Sequence, residues 1–120
     1  MEHEIGNHHL VEYSDCDPER IKYVATLEPI LREAVRRTGA VMVGELSHQF
    51  EPCGATCMIL IEESHVTIHT WPEKEYAALD IFTCGDMDTR AAIDYVAREL
   101  RSGHYETTRV SRGMEMSVSR

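Results

Sequence analysis

The chain has 120 residues, with 21 acidic and 12 basic side chains and a formal net charge of −9. That length fits one domain with a small core. The charge disfavours nucleic acid, whose phosphates need clustered Lys and Arg; it is compatible with a cationic small molecule, although such a charge more often serves solubility alone. No run reaches the roughly 18 apolar residues of a membrane span. The acidic Met1-Glu2-His3-Glu4 start lacks the pattern of a signal peptide, so Cys16, Cys53, Cys57 and Cys84 are read as free thiols in a reducing cytoplasm.

Residues 1–8 read as a loose lead-in to a short strand at 9–13. Asp17-Pro18-Glu19 carries a helix-start signal, with a capping carboxylate, a first-turn proline and an early acid. A short turn is expected near 18–23, then a helix over 27–38 capped by Thr26, which puts Pro29 in its first turn and stops it at Gly39. Residues 40–46 are β-branched and apolar enough for a strand, and 50–54, with Pro52 and Gly54, read as a loop. Strands follow at 56–61 and 66–71, joined through 62–65, with another at 77–82. Asp88 opens a second helix, with Ile93, Val96 and Leu100 at helical spacing and Gly103 at its end; Arg98 and Arg101 suit its dipole. The remainder to 118 reads as extended. The pattern is α+β: one mostly antiparallel sheet with two main helices on one face, a two-layer sandwich in a single domain 1–120.

The connection at 62–65 holds the groups for peptide-bond rearrangement. A serine hydroxyl that attacks the preceding carbonyl turns the amide into an ester. Elimination and hydrolysis then leave a keto group. Such chemistry needs a constrained hydroxyl, a base and donors for the oxyanion. Ser64 after Glu63 supplies the hydroxyl, His69 or, second, His65 the base, and Thr56 a supporting hydroxyl on the neighbouring strand. Strand alternation puts His65, Thr67 and His69 on one face, apart from Ser64 unless the turn re-aims it. By residue type alone, a serine in a tight turn most often bonds its local backbone, and Cys84 reads as a small buried core residue. Phe50 offers an aromatic face, or ordinary packing, and Glu73 a carboxylate for a polar or cationic group, or one that is merely solvated. Cys53 and Cys57 with His48, His65 or His69 have the ligand types for zinc but lack paired short motifs, and no metal is expected.

Four blocks carry a resemblance: Cys16-Asp17-Pro18-Glu19; His48-Gln49-Phe50-Glu51-Pro52 with Gly54; Glu63-Ser64-His65 through Trp71-Pro72-Glu73; and Asp80-Ile81-Phe82-Thr83-Cys84-Gly85. In this order they resemble the bacterial and archaeal S-adenosylmethionine decarboxylase proenzymes over almost the whole chain. The resemblance implies cleavage between Glu63 and Ser64 into fragments 1–63 and 64–120. Ser64 then becomes a covalent pyruvoyl group, His69 serves processing and Cys84 donates a proton in turnover. The substrate, S-adenosylmethionine, would form a Schiff base with the pyruvoyl keto group, which accepts the electrons released with carbon dioxide. Phe50 would face its adenine or sulfonium. A homodimer of processed protomers and a product for polyamine (spermidine) synthesis are implied as well. The chain departs from the family at Thr56, where serine is usual; the added methyl stiffens χ1 and would slow processing or reshape the pocket. Cys57 and the tail from Ser111 are also atypical. Two alternatives follow: the same scaffold decarboxylating arginine or ornithine, and a non-processing partner subunit.

Overall fold

Burial alternates with period two along much of the strands, and the buried parity is mainly apolar. In the computed structural model, which describes residues 4–62, 64–84 and 87–113, β1 (Gly6–Ser14), β3 (Ala55–Ile61), β4 (Ser64–Trp71) and β5 (Tyr76–Thr83) carry that pattern. With β2 (Met42–Gln49) and β6 (His104–Arg112) they form one sheet in the order β2-β3-β4-β5-β1-β6, antiparallel at every pairing. Val11, Tyr13, Cys57, Ile59, Ile61, Val66, Ile68, Leu79 and Ile81 line one face, each at most 1% exposed. Two main helices pack on it, as the sequence predicts.

The longer helix, α2 (Val24–Thr38), buries Leu27, Ile30, Leu31, Ala34, Val35 and Thr38. That spacing of three and four places one stripe against the sheet. The shorter, α3 (Thr89–Glu99), buries Ala92, Ile93, Val96 and Ala97, and Asp88 caps it by accepting from the Ala91 N–H at 3.0 Å. The Tyr13 hydroxyl donates to the Ile93 carbonyl at 2.8 Å, tying α3 to β1. Asp17 caps the single turn α1 (Pro18–Ile21), with Pro18 at its start.

Several boundaries differ from the sequence reading. The lead-in is strand from Gly6 onward, because β1 is zipped between β5 and β6. The strand read at 40–46 lies instead at β2, held by β3 and shifted in register between Met42 and Gly44. Ser64 and His65 belong to β4 rather than to the connection, since Ile61 pairs with Ser64 and Leu60 with His65. Helix α2 starts three residues before Leu27, so Thr26 is not its cap and Pro29 stands beyond the first turn. Its cap residue, Tyr23, makes no side-chain cap bond; the Val24 N–H donates to Gln49 Oε1 at 2.8 Å. A strand far along the chain supplies what the local sequence lacks. Helix α3 ends before Gly103, whose N–H donates to the Ser14 and Asp15 carbonyls. The readings that fall on residues 1–3, Glu63, Gly85 and the tail beyond Gly113 lie outside the described residues.

The loop between β2 and β3 turns on Gly54, at φ 102°, where a Cβ would lie 3.3 Å from both Pro72 Cδ and the Thr70 carbonyl. Gly39, which ends α2 at φ 84°, has open space around it. Gly39→Ala is therefore expected to lose about 1 kcal/mol from the left-handed backbone alone, and Gly54→Ala about 1–3 kcal/mol because a wall is added to the strain. Urea unfolding of both variants checks this; equal losses would show that the wall yields.

Candidate active site

Strand β4 carries a candidate group at each end. At its start Ser64 is 9% exposed and shares the helix-side face with Val66 and Ile68. Its Oγ lies 4.0 Å from Cys84 Sγ, just past the end of β5. A cleft of about 200 Å³ opens here, lined by Ala40 and Val41 after α2, Thr83 of β5, and Met87 before α3. Cys84 is exposed, so its reading as a buried core residue is overturned: the chain leaves the sheet at Thr83, and the thiol stands at the cleft.

At the other end, Thr56 and His69 face one another across β3 and β4. The Thr56 Oγ1 and His69 Nδ1 are 2.9 Å apart, so the hydroxyl fixes the ring. The methyl that threonine adds does not prevent this contact. A second cleft, of about 280 Å³, is lined by these two with Phe50, Cys53, Trp71 and Glu73. Glu73 reaches it from the 3₁₀ turn Pro72–Lys74 that links β4 to β5. Aromatic contacts hold its walls: Phe50 meets His48 edge-on at 4.8 Å, and Trp71 lies 5.3 Å from Tyr76 and 6.3 Å from His69. The structure thus gathers Phe50, Thr56, His69 and Glu73 in one cleft, and Ser64 with Cys84 in another.

These clefts do not merge within one chain. Ser64 and His69 are five residues apart on one strand, so they take opposite faces and stand roughly 17 Å apart. No re-aiming turn intervenes, because Ser64 is itself strand. His65 also points away from Ser64, onto the open face, where its ring is 6.1 Å from that of His8 and 5.9 Å from Phe82. The zinc set is dispersed as well: Cys57 is buried on the helix side, whereas His65 and His69 face the other way. Among the described residues no group of three or more metal-type side chains gathers.

The open face is itself informative. Leu46, Met58, Leu60 and Phe50 are 75%, 42%, 51% and 45% exposed there or at its rim. Trp71 and Cys53 line the second cleft, although the sequence gives Trp71 no role and suggests Cys53 only as a metal ligand. Alternation from His69 signals Trp71, but nothing local signals Val41 or Met87 beside Ser64.

Burial on this face, with His8 next in effect, lowers the His65 pKa below its ordinary 6.5. The unfolded chain therefore takes up that proton more readily than the folded one. The contribution to stability is complete above pH 6.5 and is lost as the pH falls below it. Replacing His65 by Asn removes the titration, so the loss of urea resistance on acidification should be shallower in His65→Asn than in the parent. Parallel profiles would refute this.

Comparison with known proteins bears on the whole arrangement. A family model described as S-adenosylmethionine decarboxylase matches residues 7–113. An S-adenosylmethionine decarboxylase proenzyme of Pyrococcus abyssi (strain GE5 / Orsay) is 36% identical over 112 residues, covering 92% of this chain and 81% of that protein. The protein of that name from Caldicellulosiruptor saccharolyticus is 40% identical over 113 residues, covering 93% and 91%, and that from Thermosipho melanesiensis 41% over 110, covering 91% and 85%. The crystal structure of the adenosylmethionine decarboxylase from Aquifex aeolicus superposes with a TM-score of 0.83 at 32% identity, over 91% of each chain. The six-stranded sheet, the thiol beside the strand-initial serine and these likenesses agree: the chain belongs to the S-adenosylmethionine decarboxylase family of decarboxylase enzymes.

Proposed function

We propose that this chain is a proenzyme that cleaves itself before Ser64 and then decarboxylates S-adenosylmethionine through a pyruvoyl group made from that serine. The observation that carries this reading is the 4.0 Å approach of the buried Ser64 hydroxyl to an exposed thiol at the mouth of a cleft. The naming of the relatives as proenzymes supports it. The arginine or ornithine alternative draws no support from them.

In self-cleavage, Ser64 Oγ attacks the carbonyl carbon of residue 63, and the C–N bond breaks as the C–O bond forms. Removal of the Ser64 α-proton expels fragment 1–63 as a carboxylate and leaves a dehydroalanine. Water then displaces ammonia and leaves the keto group. In the homodimer proposed below, the His69 of one copy, its ring held by Thr56, accepts the proton at Ser64 of the other, and fragments 1–63 and 64–120 stay together because β3 and β4 remain paired across the cut. The residues present fit the product: a small keto group at position 64 lies on the cleft lined by Ala40, Val41 and Met87. The pyruvoyl group supplies an electron sink when carbon dioxide leaves. Cys84, beside it, holds the proton that the substrate's α-carbon needs afterwards. The Phe50 ring faces the sulfonium or adenine, and Glu73 receives a polar or cationic part of the substrate.

Two clefts roughly 17 Å apart on opposite faces cannot act on one small molecule within one protomer. A homodimer resolves this. Stacking two open faces covers Leu46, Met58 and Leu60 and brings the His69 cleft of one copy to the Ser64 end of the other. The setting we infer is cytoplasmic, with the product supplying polyamine (spermidine) synthesis; no helix among the described residues is long and apolar enough to cross a membrane.

Two measurements test these points. Intact mass under denaturing conditions should give two fragments split before Ser64, the second ending in a keto group, and a single full-length species for Ser64→Ala. A full-length parent chain, stable on long incubation, would favour the non-processing partner. Coexpressed Cys84→Ala and Phe50→Ala chains, each inactive alone, should recover about a quarter of parental activity overall, because about half of the dimers are mixed and one of the two sites in each is intact. No recovery would place the whole site within one protomer.

A further inference from the structure

The fold leaves one side chain with an unusual number of fixed partners and no part in the chemistry above. Gln49 ends β2 and faces the helix side, opposite the fully buried Ala55. Its Oε1 accepts from the Val24 N–H at 2.8 Å. Its Nε2 donates to the carbonyls of Lys22 at 3.0 Å, Phe50 at 3.1 Å and Gly54 at 3.0 Å. The orientation of the amide is dictated: the Val24 N–H can only donate and the three carbonyls can only accept. Two N–H groups serve three carbonyls, so one is shared.

These partners are the two ends of the loop 50–54 and the junction between α1 and α2. Backbone bonds run beside them, from the Gly54 N–H to the Lys22 carbonyl and from the Phe50 N–H to the Gly54 carbonyl, each 2.8 Å. One carboxamide therefore staples the loop shut and moors it to the helix layer. On its other side that loop presents Phe50, 45% exposed, and Cys53 to the His69 cleft. Nothing else in the sheet layer grips the Phe50 carbonyl by a side chain among the described residues.

We propose that Gln49 is a positioning residue for substrate binding: without touching the substrate, it holds the 50–54 loop so that the Phe50 ring is set before the substrate arrives. This rests on the function proposed above, in which Phe50 faces the sulfonium or adenine. A staple of this kind lowers the ordering cost of binding. Its loss should appear in KM rather than kcat, since the group acts equally on bound substrate and on the state that reacts.

The test uses full-length, processed protein, with rates normalised to the cleaved fraction. Gln49→Ala is expected to raise KM for S-adenosylmethionine about tenfold and leave kcat within about twofold. Gln49→Glu carries a sharper signature. The ionised carboxylate still accepts from the Val24 N–H but meets three carbonyl oxygens with no donor; once protonated, it can donate to one. The ratio of its KM to that of the parent should therefore fall as the pH is lowered, which general destabilisation would not produce. Should Gln49→Ala fail to fold, the Glu variant with its pH series decides alone. Amide hydrogen exchange over 50–54, without substrate, should be faster in Gln49→Glu than in the parent. KM values within twofold of the parent at every pH, with unchanged exchange, would overturn the proposal. A parent that cleaves itself but does not decarboxylate S-adenosylmethionine would instead refute the function, and the exchange data would still report on the staple.

Discussion

The two-residue period of β4 is the constraint on which the rest depends. Ser64 at its first position and His69 five residues on must lie on opposite faces, whatever the loops do. Even positions of the strand join the helix-side core through Val66 and Ile68, which fixes the register to β3 and leaves no freedom to slide. A slip by one residue would bury His69 and expose Ile68. The separation of the two clefts is therefore a consequence of core packing, and the reading of the molecule as half of a composite site follows from it.

That separation also gives the uncovered sheet face a meaning. A sheet with helices on one side leaves its other side to water or to a partner. Here the row across β2, β3 and β4 is His48, Thr56 and His69, polar and aligned, with Leu46, Met58 and Leu60 beyond it toward the other end of the strands. Polar groups at one end and apolar groups toward the other are what the proposed homodimer would use. The helix side works differently. Its job at the site is to hold irregular backbone still: Gln49 and Thr70 both reach across to the α1–α2 region, Thr70 by donating to the Ile21 carbonyl at 2.8 Å while accepting from the Ala55 N–H at 2.9 Å. Strands set where the cleft lies, and these two side chains set the shape of its rim.

Much of the site was legible as a set of residue types. Ser64 and Cys84 stand at one cleft and Phe50, Thr56, His69 and Glu73 at another, and strand alternation alone separates His69 from Ser64. The misreadings share a cause. Thr26 looks like the cap of α2 because capping rules look only a few residues along the chain, whereas the real acceptor comes from Gln49 at the end of β2. Cys84 looks like core by residue type, but its burial depends on where the strand ends, and β5 ends at Thr83. Residues 6–8 read as loose in the sequence because a strand gains its structure from neighbours distant along the chain, here β5 and β6 on either side of β1.

By itself the sequence determined what periodicity and local chemistry can encode: an α+β chain with one apolar stripe per helix, strands of fixed parity, Gly39 as the stop of α2, and the candidate groups in their order. The tertiary structure alone decided the rest: that Ser64 meets Cys84, that Thr56 meets His69, that the two pairs stay apart, and that a glutamine binds the cleft's loop to a helix start. The physical reason is reach. Hydrogen-bond geometry and side-chain parity are local properties of a strand, but a contact across strands needs the register, and the register is set by the packing of the whole core.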